Sequence, residues 1–152
     1  MAGAASQLGV ARLNGTRQDT WQVVLKFEGN NFGIWDKKTG GDVDSDEVVY
    51  YPGGMVGRIA LGGRVTYTNI TLQRIYDGIV DHQAAQVMLD GVGKAVVEVN
   101  QRPMDINGHA YGTTLTWVGK LKRVRIPDVD SEGTAAALFE VEITVNQEPQ
   151  MS

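Results

Sequence analysis

The sequence of 152 residues contains no cysteine, only two histidines and no long apolar run. Without cysteine the fold cannot depend on disulfides, and thiolate metal sites and cysteine nucleophiles are excluded. The first residues lack the basic stretch and apolar core of a signal peptide, and nowhere do about 18 apolar residues follow one another, the length that a spanning helix requires. We therefore expect no membrane-spanning segment and a protein that stays in the cytosol until it is assembled or released.

The sequence also lacks a large excess of charge of either sign. The net charge is −4, from 14 Lys and Arg against 18 Asp and Glu. This argues against a protein that holds DNA tightly, because phosphate binding depends on basic patches. An acidic or neutral wall has the opposite property, since nucleic acid can slide along it without being trapped by ion pairs.

Motifs for catalysis or metal binding are incomplete. His82 and His109 lack HExxH spacing, and there is no Gly-x-Ser-x-Gly elbow. Residues 91–95 resemble a phosphate loop but lack its first glycine and the Ser or Thr after the lysine. The acidic stretches 42–47 and 128–133 begin like calcium loops without a glutamate at position 12, so we interpret them as solvated turns, with a weak divalent-ion contact as the alternative. We predict no enzyme activity, no cofactor and no metal site.

What is present indicates one mainly β domain. The length suits a single domain over residues 1–152, and 19 glycines favour many turns between short strands. Alternation of apolar and polar residues predicts strands at 21–28, 32–35, 95–101, 113–126 and 138–145. Residues 37–46 are predicted to be a loop. The fold class that follows is a single-domain antiparallel β-sandwich or half-barrel.

One helix is predicted between Asp77 and Gly91. Asp77 is a candidate cap, the segment is rich in helix formers, and Gly91 is a stop signal. A helix of about three turns would close one face of the sheet. Its apolar stripe is predicted from the spacing of Val80, Ala84, Val87 and Met88.

The stretch 46–77 carries most of the functional information. Val48 to Tyr51 form one β-prone run, residues 65–72 form a second, and five glycines and Pro52 lie between them. Because Val65 and Tyr67 point to one side and Ile70 and Leu72 to the other, a bulge or face switch is predicted near Thr68 and Asn69. The link is too apolar for a solvated linker, so we expect it to be buried against another chain.

These residues resemble a known family. The segment DEVVYYPGG at 46–54, a link with glycines and basic residues, and the strand YTNITLQR at 67–74 follow one another as in the tail tube proteins of contractile phages, contractile injection systems and R-type bacteriocins. The similarity extends, more weakly, over residues 21–147. It implies a β-sandwich or half-barrel with one α-helix and a long Gly-rich β-hairpin arm, whose subunits form stacked hexameric rings inside a contractile sheath.

The resemblance also implies partners and surfaces. The chain would bind copies of itself, sheath protein outside, and baseplate and tail-terminator proteins at the ends, and DNA would pass through without sticking if the particle is a phage. Assembly would occur in the host cytoplasm, and the mature protein would lie in the virion tail or released particle. Residues 1–19 would form an N-terminal arm and residues 39–63 a protruding arm, with contacts made by Tyr50, Tyr51, Met55, Val56, Arg58, Ile59 and Leu61.

Two further surfaces are predicted from charge. Opposite charges fix the register of repeated copies, so an acidic loop of one subunit could pair with the basic cluster of a neighbour, although the solvated edge of a strand is an equal alternative. The residues concerned are Asp42, Asp44, Asp46, Glu47, Lys120, Lys122, Arg123 and Arg125. Candidates for the lumen, which could equally face the sheath, are Glu98, Asn100, Glu140 and Glu142. The alternative function is a monomeric carbohydrate-binding or adhesive β-sandwich, which would need clustered exposed aromatic residues.

Overall fold

The computed structural model describes residue 17 and residues 20–54, 57–105 and 107–151, and the fold in these residues is antiparallel and mainly β. In chain order the elements are β1 Trp21–Phe27, β2 Asn30–Trp35, β3 Lys37–Thr39, β4 Val43–Tyr50, β5 Ile59–Tyr67, β6 Ile70–Ile75, α1 Asp81–Asp90, β7 Val96–Pro103, β8 Leu115–Arg125, β9 Leu138–Val145 and β10 Gln150–Met151. The predicted strands are present, with β3, the first part of β4 and β10 in addition.

The main sheet curls because its two edges belong to one stretch of chain. The strand order is β2-β1-β7-β8-β9-β6-β3, with β10 beside β8. The edge strands β2 and β3 are separated only by Asp36, whose backbone N–H donates to the carbonyl of Gln73 at 3.0 Å. The Asp36 carboxylate also accepts from the N–H of Ile75 at 3.3 Å. The two edges therefore meet at one residue, and the predicted half-barrel describes the fold better than two stacked sheets.

Strand alternation fills the inside of this curled sheet. On β9 the side chains of Phe139, Val141, Ile143 and Val145 are buried, as predicted, while those between them are not. Leu25 and the apolar residues of β7 and β8 meet them in one continuous core. Because burial of each large apolar side chain contributes about 1.5–3 kcal/mol, this interior supplies the main driving force for folding.

A single arginine joins the seam of the half-barrel to the helix. The Arg74 guanidinium donates to the carbonyl of Phe32 on β2 at 2.6 Å and to the Asp81 carboxylate at 2.6 Å. Its planar group lies 4.3 Å from the centre of the Trp35 ring. Both charged side chains are largely buried, so the attraction between them must offset the free-energy cost of removing each charge from water. Arg74 on β6 thereby ties this strand to β2 and to α1, although β2 and β6 do not pair with each other in the sheet.

The helix is present, and half of the predicted stripe is confirmed, since Met88 is buried and Ala84 packs against the core. The buried side chains are Asp81, Ala85 and Met88, whereas Val80 and Val87 are exposed. The ion pair with Arg74 turns Asp81 inward, which rotates the inward face away from the apolar pattern. Asp77 was predicted to cap the helix, but the helix begins at Asp81 and has Val80 at its N-cap position, without a side-chain cap. Asp77 instead caps the preceding turn, since its carboxylate accepts from the N–H groups of Ile79 at 2.9 Å and Val80 at 3.1 Å.

The strands of the central stretch are longer than predicted, but the predicted break between them is present. Residues 59–63, expected within the link, are part of β5, and residues 43–46, expected in a loop, are part of β4. The predicted break at Thr68 and Asn69 is confirmed, because β5 and β6 end and begin there and belong to different sheets. Within the described residues, no helix has the length and apolar character needed to cross a membrane.

Replacing Asp81 by asparagine should destabilise the fold strongly. The change leaves Arg74 buried without its counter-ion, which costs on the order of 3 kcal/mol. Urea unfolding followed by tryptophan fluorescence measures this loss. The control is Asp90→Asn on the exposed end of the same helix, and equal midpoints for the two variants would contradict the proposed importance of the ion pair.

Asp77→Asn tests the cap through pH. Two backbone N–H donors lower the pKa of the Asp77 carboxyl below its ordinary value of 3.8. A lowered folded-state pKa means that the contribution is complete above pH 3.8 and is lost as the pH falls through the folded-state value. The wild type should therefore lose more stability than Asp77→Asn in thermal unfolding below about pH 4, and parallel pH profiles would refute the cap.

Candidate assembly interface

The second sheet consists of β4 and β5 alone, and it stands away from the half-barrel. The two strands pair with each other from Val43 opposite Tyr67 to Tyr50 opposite Ile59, with an irregularity between Ser45 and Glu47. No residue of either strand is buried. An isolated two-stranded hairpin is only marginally stable in water, so packing against another surface would stabilise this one.

One face of the outer hairpin is entirely apolar. Val48 lies opposite Leu61, and Tyr50 lies opposite Ile59, so all four project from the same side. Their exposed fractions are 50%, 47%, 57% and 42% respectively. We call this surface the hairpin face. The opposite side carries smaller or charged groups, namely Glu47, Val49, Ala60 and Gly62.

Three of the four residues of the hairpin face are among the predicted inter-subunit contacts, and their contact with another subunit stays a prediction. Tyr50, Ile59 and Leu61 were predicted contacts, whereas Val48 was missed although its alternation with Tyr50 could have indicated it. Tyr51 follows β4 and is 72% exposed. Arg58 instead lies 3.4 Å from the Glu47 carboxylate. The predicted contacts Met55 and Val56 lie outside the described residues.

Two glycines form the joint between half-barrel and hairpin. Gly40 and Gly41 have φ angles of +91° and +83°, a backbone region that side chains disfavour. A Cβ atom on Gly40 would also collide with the carbonyl oxygen of Asn69. Thr68, which follows β5, makes two hydrogen bonds to the segment before β4. Its carbonyl accepts from the N–H of Gly41, and its hydroxyl accepts from the N–H of Asp42 at 2.8 Å.

Trp117 and Lys38 fix this joint to the sheet. The Trp117 indole N–H donates to the carbonyl of Gly41 at 3.1 Å, and Lys38 Nζ donates to the carbonyl of Gly40 at 3.1 Å. Lys38 Nζ also lies 4.0 Å from the centre of the Trp117 ring, in cation–π geometry. Burial lowers the pKa of the Lys38 amine, and the nearby Asp42 charge opposes that shift. The hairpin therefore leaves the half-barrel in a defined direction.

The predicted basic cluster has carboxylate neighbours in its own chain. Lys122 Nζ is 3.3 Å from Glu142, and Arg123 is 3.0 Å from Glu140. Arg125 is 3.0 Å from Asp128. Each of these three basic side chains remains more than half exposed, so pairing with Asp42, Asp44, Asp46 and Glu47 of another copy stays a prediction. Exposed ion pairs of this kind contribute at most about 1 kcal/mol to folding.

The four residues predicted for the lumen share the outward face of the main sheet. Glu98 and Asn100 alternate with the buried Val97 and Val99 on β7, and Glu140 and Glu142 do the same on β9. Asn100 accepts from the Thr116 hydroxyl at 2.7 Å. The basic side chains near Glu140 and Glu142 mean that this face carries charges of both signs rather than an acidic wall.

In the described part of the chain, no group of three His, Cys, Asp or Glu side chains is arranged to hold a metal ion. Asp130 in the second acidic stretch instead accepts from the N–H of Glu132 at 3.1 Å, which is an ordinary turn contact. The carboxylates of Asp42 and Asp44 lie at the start of β4, at the base of the hairpin.

Comparison with solved structures finds this architecture in contractile injection systems. A chain of the six-fold symmetrised anti-feeding prophage baseplate has a TM-score of 0.71 and 16% identity, over 91% of this chain and 95% of that one. A chain of the PVC sheath–tube complex in its extended state has a TM-score of 0.68 and 14% identity, over 100% and 99%. A chain of the anti-feeding prophage tube-terminating cap has 0.71 and 12%, over 100% and 99%.

The protein shares the fold of these chains. At such low identity the likeness concerns the fold alone, and it extends over nearly the whole length of each neighbour. No protein-family profile matches the sequence, and no curated protein matches it either.

Gly40→Ala should disturb the hairpin joint. The added Cβ meets the Asn69 carbonyl and forces a left-handed backbone on alanine, at a cost of about 1–3 kcal/mol or a tilt of the hairpin. Thermal unfolding and hydrogen exchange at residues 40–42 and 68–69 measure the two outcomes. Gly53→Ala is the matched control, because nothing lies within 4 Å of its added Cβ. Identical behaviour of both variants would mean that the joint does not orient the hairpin.

Proposed function

We propose that this chain is a structural subunit of a contractile injection apparatus, and more narrowly a tube protein that closes into hexameric rings which stack into the inner tube. The observation that carries the proposal is the hairpin face, four large apolar side chains on an arm that no other described element covers. Monomeric proteins rarely leave such a surface open, and it marks an association site. A role without catalysis accords with a site made of apolar side chains.

The fold supports the same proposal in two ways. The neighbours named above are parts of a baseplate, a sheath–tube complex and a tube-terminating cap. The sheath–tube chain and the tube-terminating cap chain each match this chain over 100% of its length. Joining the sheets of neighbouring copies around a ring would also pair the free backbone N–H and C=O groups of the edge strands, which stabilises the assembly.

In that arrangement the tube would lie inside a sheath and end on baseplate and terminator proteins. The outward face of the main sheet is the candidate for the lumen, with Glu98, Asn100, Glu140 and Glu142 on it. Since this face carries charges of both signs, a charged cargo would meet neither a strongly attractive nor a strongly repulsive wall. Passage of DNA without tight binding is compatible with this surface.

The alternative is a monomeric carbohydrate-binding module. Such sites present aromatic rings at the surface, but Trp35 and Trp117 are buried in the core. Tyr50 and Tyr51 are the exposed aromatic residues that could serve, and they lie at the end of an arm rather than in a concave site. Size-exclusion chromatography followed by negative-stain microscopy separates the two functions, because rings or rods support the tube and a compact monomer supports the module.

Leu61→Asp should abolish assembly without unfolding the subunit. It places a charge in the middle of the hairpin face, while substitution of an exposed residue changes stability by only about 0.5 kcal/mol. Negative-stain microscopy and thermal unfolding measure the two effects. Val129→Asp is the control, since Val129 is 96% exposed and lies outside the hairpin. Normal assembly by Leu61→Asp would remove the basis of the proposal.

A further inference from the structure

Lys38 points into the half-barrel rather than away from it. In the pairing of β3 with β6 it lies opposite Leu72, which is fully buried, so both side chains belong to the inward face. The preceding residue, Lys37, belongs to the outward face and is exposed, whereas Lys38 is half-buried. Two adjacent lysines therefore stand in opposite environments.

A cavity of about 600 Å³ lies beside Lys38. Residues 36–39 form one wall, Trp21 and Val23 of β1 form another, and Gln101 of β7 and Trp35 of β2 complete the lining. This volume is in the range of pockets that hold small organic molecules. Because indole rings and a valine line much of the cavity, an aromatic group suits it best.

The amine of Lys38 makes two contacts, neither of them with a carboxylate. Its Nζ donates to the carbonyl of Gly40 at 3.1 Å and lies 4.0 Å from the centre of the Trp117 ring. Burial lowers the pKa of the Lys38 amine below its ordinary value of 10.5, and the nearby Asp42 charge opposes that shift. At a given pH, the free amine is therefore more populated than in an ordinary lysine, and the free amine is the nucleophilic form.

Few other charges surround Lys38. Asp36 and Lys37 lie in the same cavity wall, and the Asp36 carboxylate already accepts from the N–H of Ile75. The residues that face Lys38 from β6 and β8, Leu72 and Trp117, are uncharged. Burial is thus the main influence on the amine.

We propose that Lys38 and this cavity form a site for a small aromatic aldehyde, which Lys38 binds covalently as an imine. The aromatic ring lies in the apolar part of the cavity, and the aldehyde carbon meets the Lys38 amine. The site goes beyond the proposed function and does not depend on it, because one subunit supplies every residue.

The reaction needs no further reactant. The neutral amine attacks the aldehyde carbon, and one amine proton passes to the carbonyl oxygen. The carbinolamine then loses its hydroxyl group and the second amine proton as water, which leaves a C=N bond. Added cyanoborohydride makes the product permanent, since it delivers hydride to the imine carbon while water supplies the proton on nitrogen.

Imine formation would also act on the joint of the hairpin. A neutral imine nitrogen has no N–H to donate to the Gly40 carbonyl and no charge to place over the Trp117 ring, so both contacts of Lys38 are lost. The Trp117 indole would still hold the Gly41 carbonyl. A bound aldehyde therefore weakens the joint on one side.

Competitive labelling tests the site. The protein is treated with benzaldehyde and cyanoborohydride in mildly alkaline buffer, and peptide mapping by mass spectrometry compares the labelling rates of Lys38 and Lys37. Lys38 should react about fivefold faster although it is less exposed, because an aromatic contact strengthens binding by roughly that factor. Formaldehyde, which has no ring, is the control reagent and should show a smaller preference for Lys38.

Two matched variants and a pH series identify the reacting group. Lys38→Arg keeps a cation at the joint but cannot form the imine, so the fast benzaldehyde adduct should disappear, whereas Lys37→Arg should retain it. Trace acetic anhydride, which acylates free amines, should label Lys38 at a rate that levels off below pH 10.5, since the pKa is lowered.

The site would be refuted by benzaldehyde labelling of Lys38 that is no faster than that of Lys37, or by equal preferences with benzaldehyde and formaldehyde. A fast adduct that survives in Lys38→Arg, or acetylation of Lys38 that levels off only at or above pH 10.5, would refute it as well. These results concern a single subunit, so they leave the proposed function to the assembly experiments.

Discussion

The ion pair of Arg74 and Asp81 is the constraint on which the rest of the structure depends. The curled sheet leaves a seam between β2 and β6, and the Arg74 side chain bridges it by donating to the Phe32 carbonyl. The same guanidinium holds the helix through Asp81 at 2.6 Å. Removing either partner would leave an uncompensated charge away from water, which is costly. The ion pair therefore fixes the seam, the helix and the orientation of the helix together. That orientation leaves Val80 and Val87 on the surface.

At the other end of the half-barrel, the joint is fixed by backbone conformation and by hydrogen bonds to backbone carbonyls. Gly40 and Gly41 adopt conformations that other residues resist, and the Trp117 indole and Lys38 amine hold their carbonyls. A stiff joint reduces the conformational entropy that the arm loses when it binds a partner. The exposed hairpin face therefore points in a fixed direction, which suits the repeating subunit proposed above.

The comparison of prediction with structure separates local from distant effects. Strand β9 was predicted with its boundaries and its inward side chains because alternation of Phe139, Val141 and Ile143 depends only on neighbours in sequence. The break at Thr68 and Asn69 was predicted for the same reason. The inward face of α1 was predicted in part: Met88 and Ala84 pack inward, whereas Val80 and Val87 are exposed and Asp81 turns inward to pair with Arg74. The hairpin face was found only in part, since Val48 joins it through a register across two strands.

The sequence by itself determined a mainly β domain without cysteine, one helix after an aspartate cap, and an apolar arm rich in glycine, because composition, alternation and turn chemistry act over a few residues. Only the tertiary structure decided which side of the arm is apolar, where the basic cluster finds carboxylates, and which side of α1 faces the core. Those features depend on strand register, on the closure of the sheet at Asp36 and on one buried ion pair. The register and the sheet closure join residues that are distant along the chain, and the ion pair forms only when β6 and α1 pack together, so no local pattern specifies them.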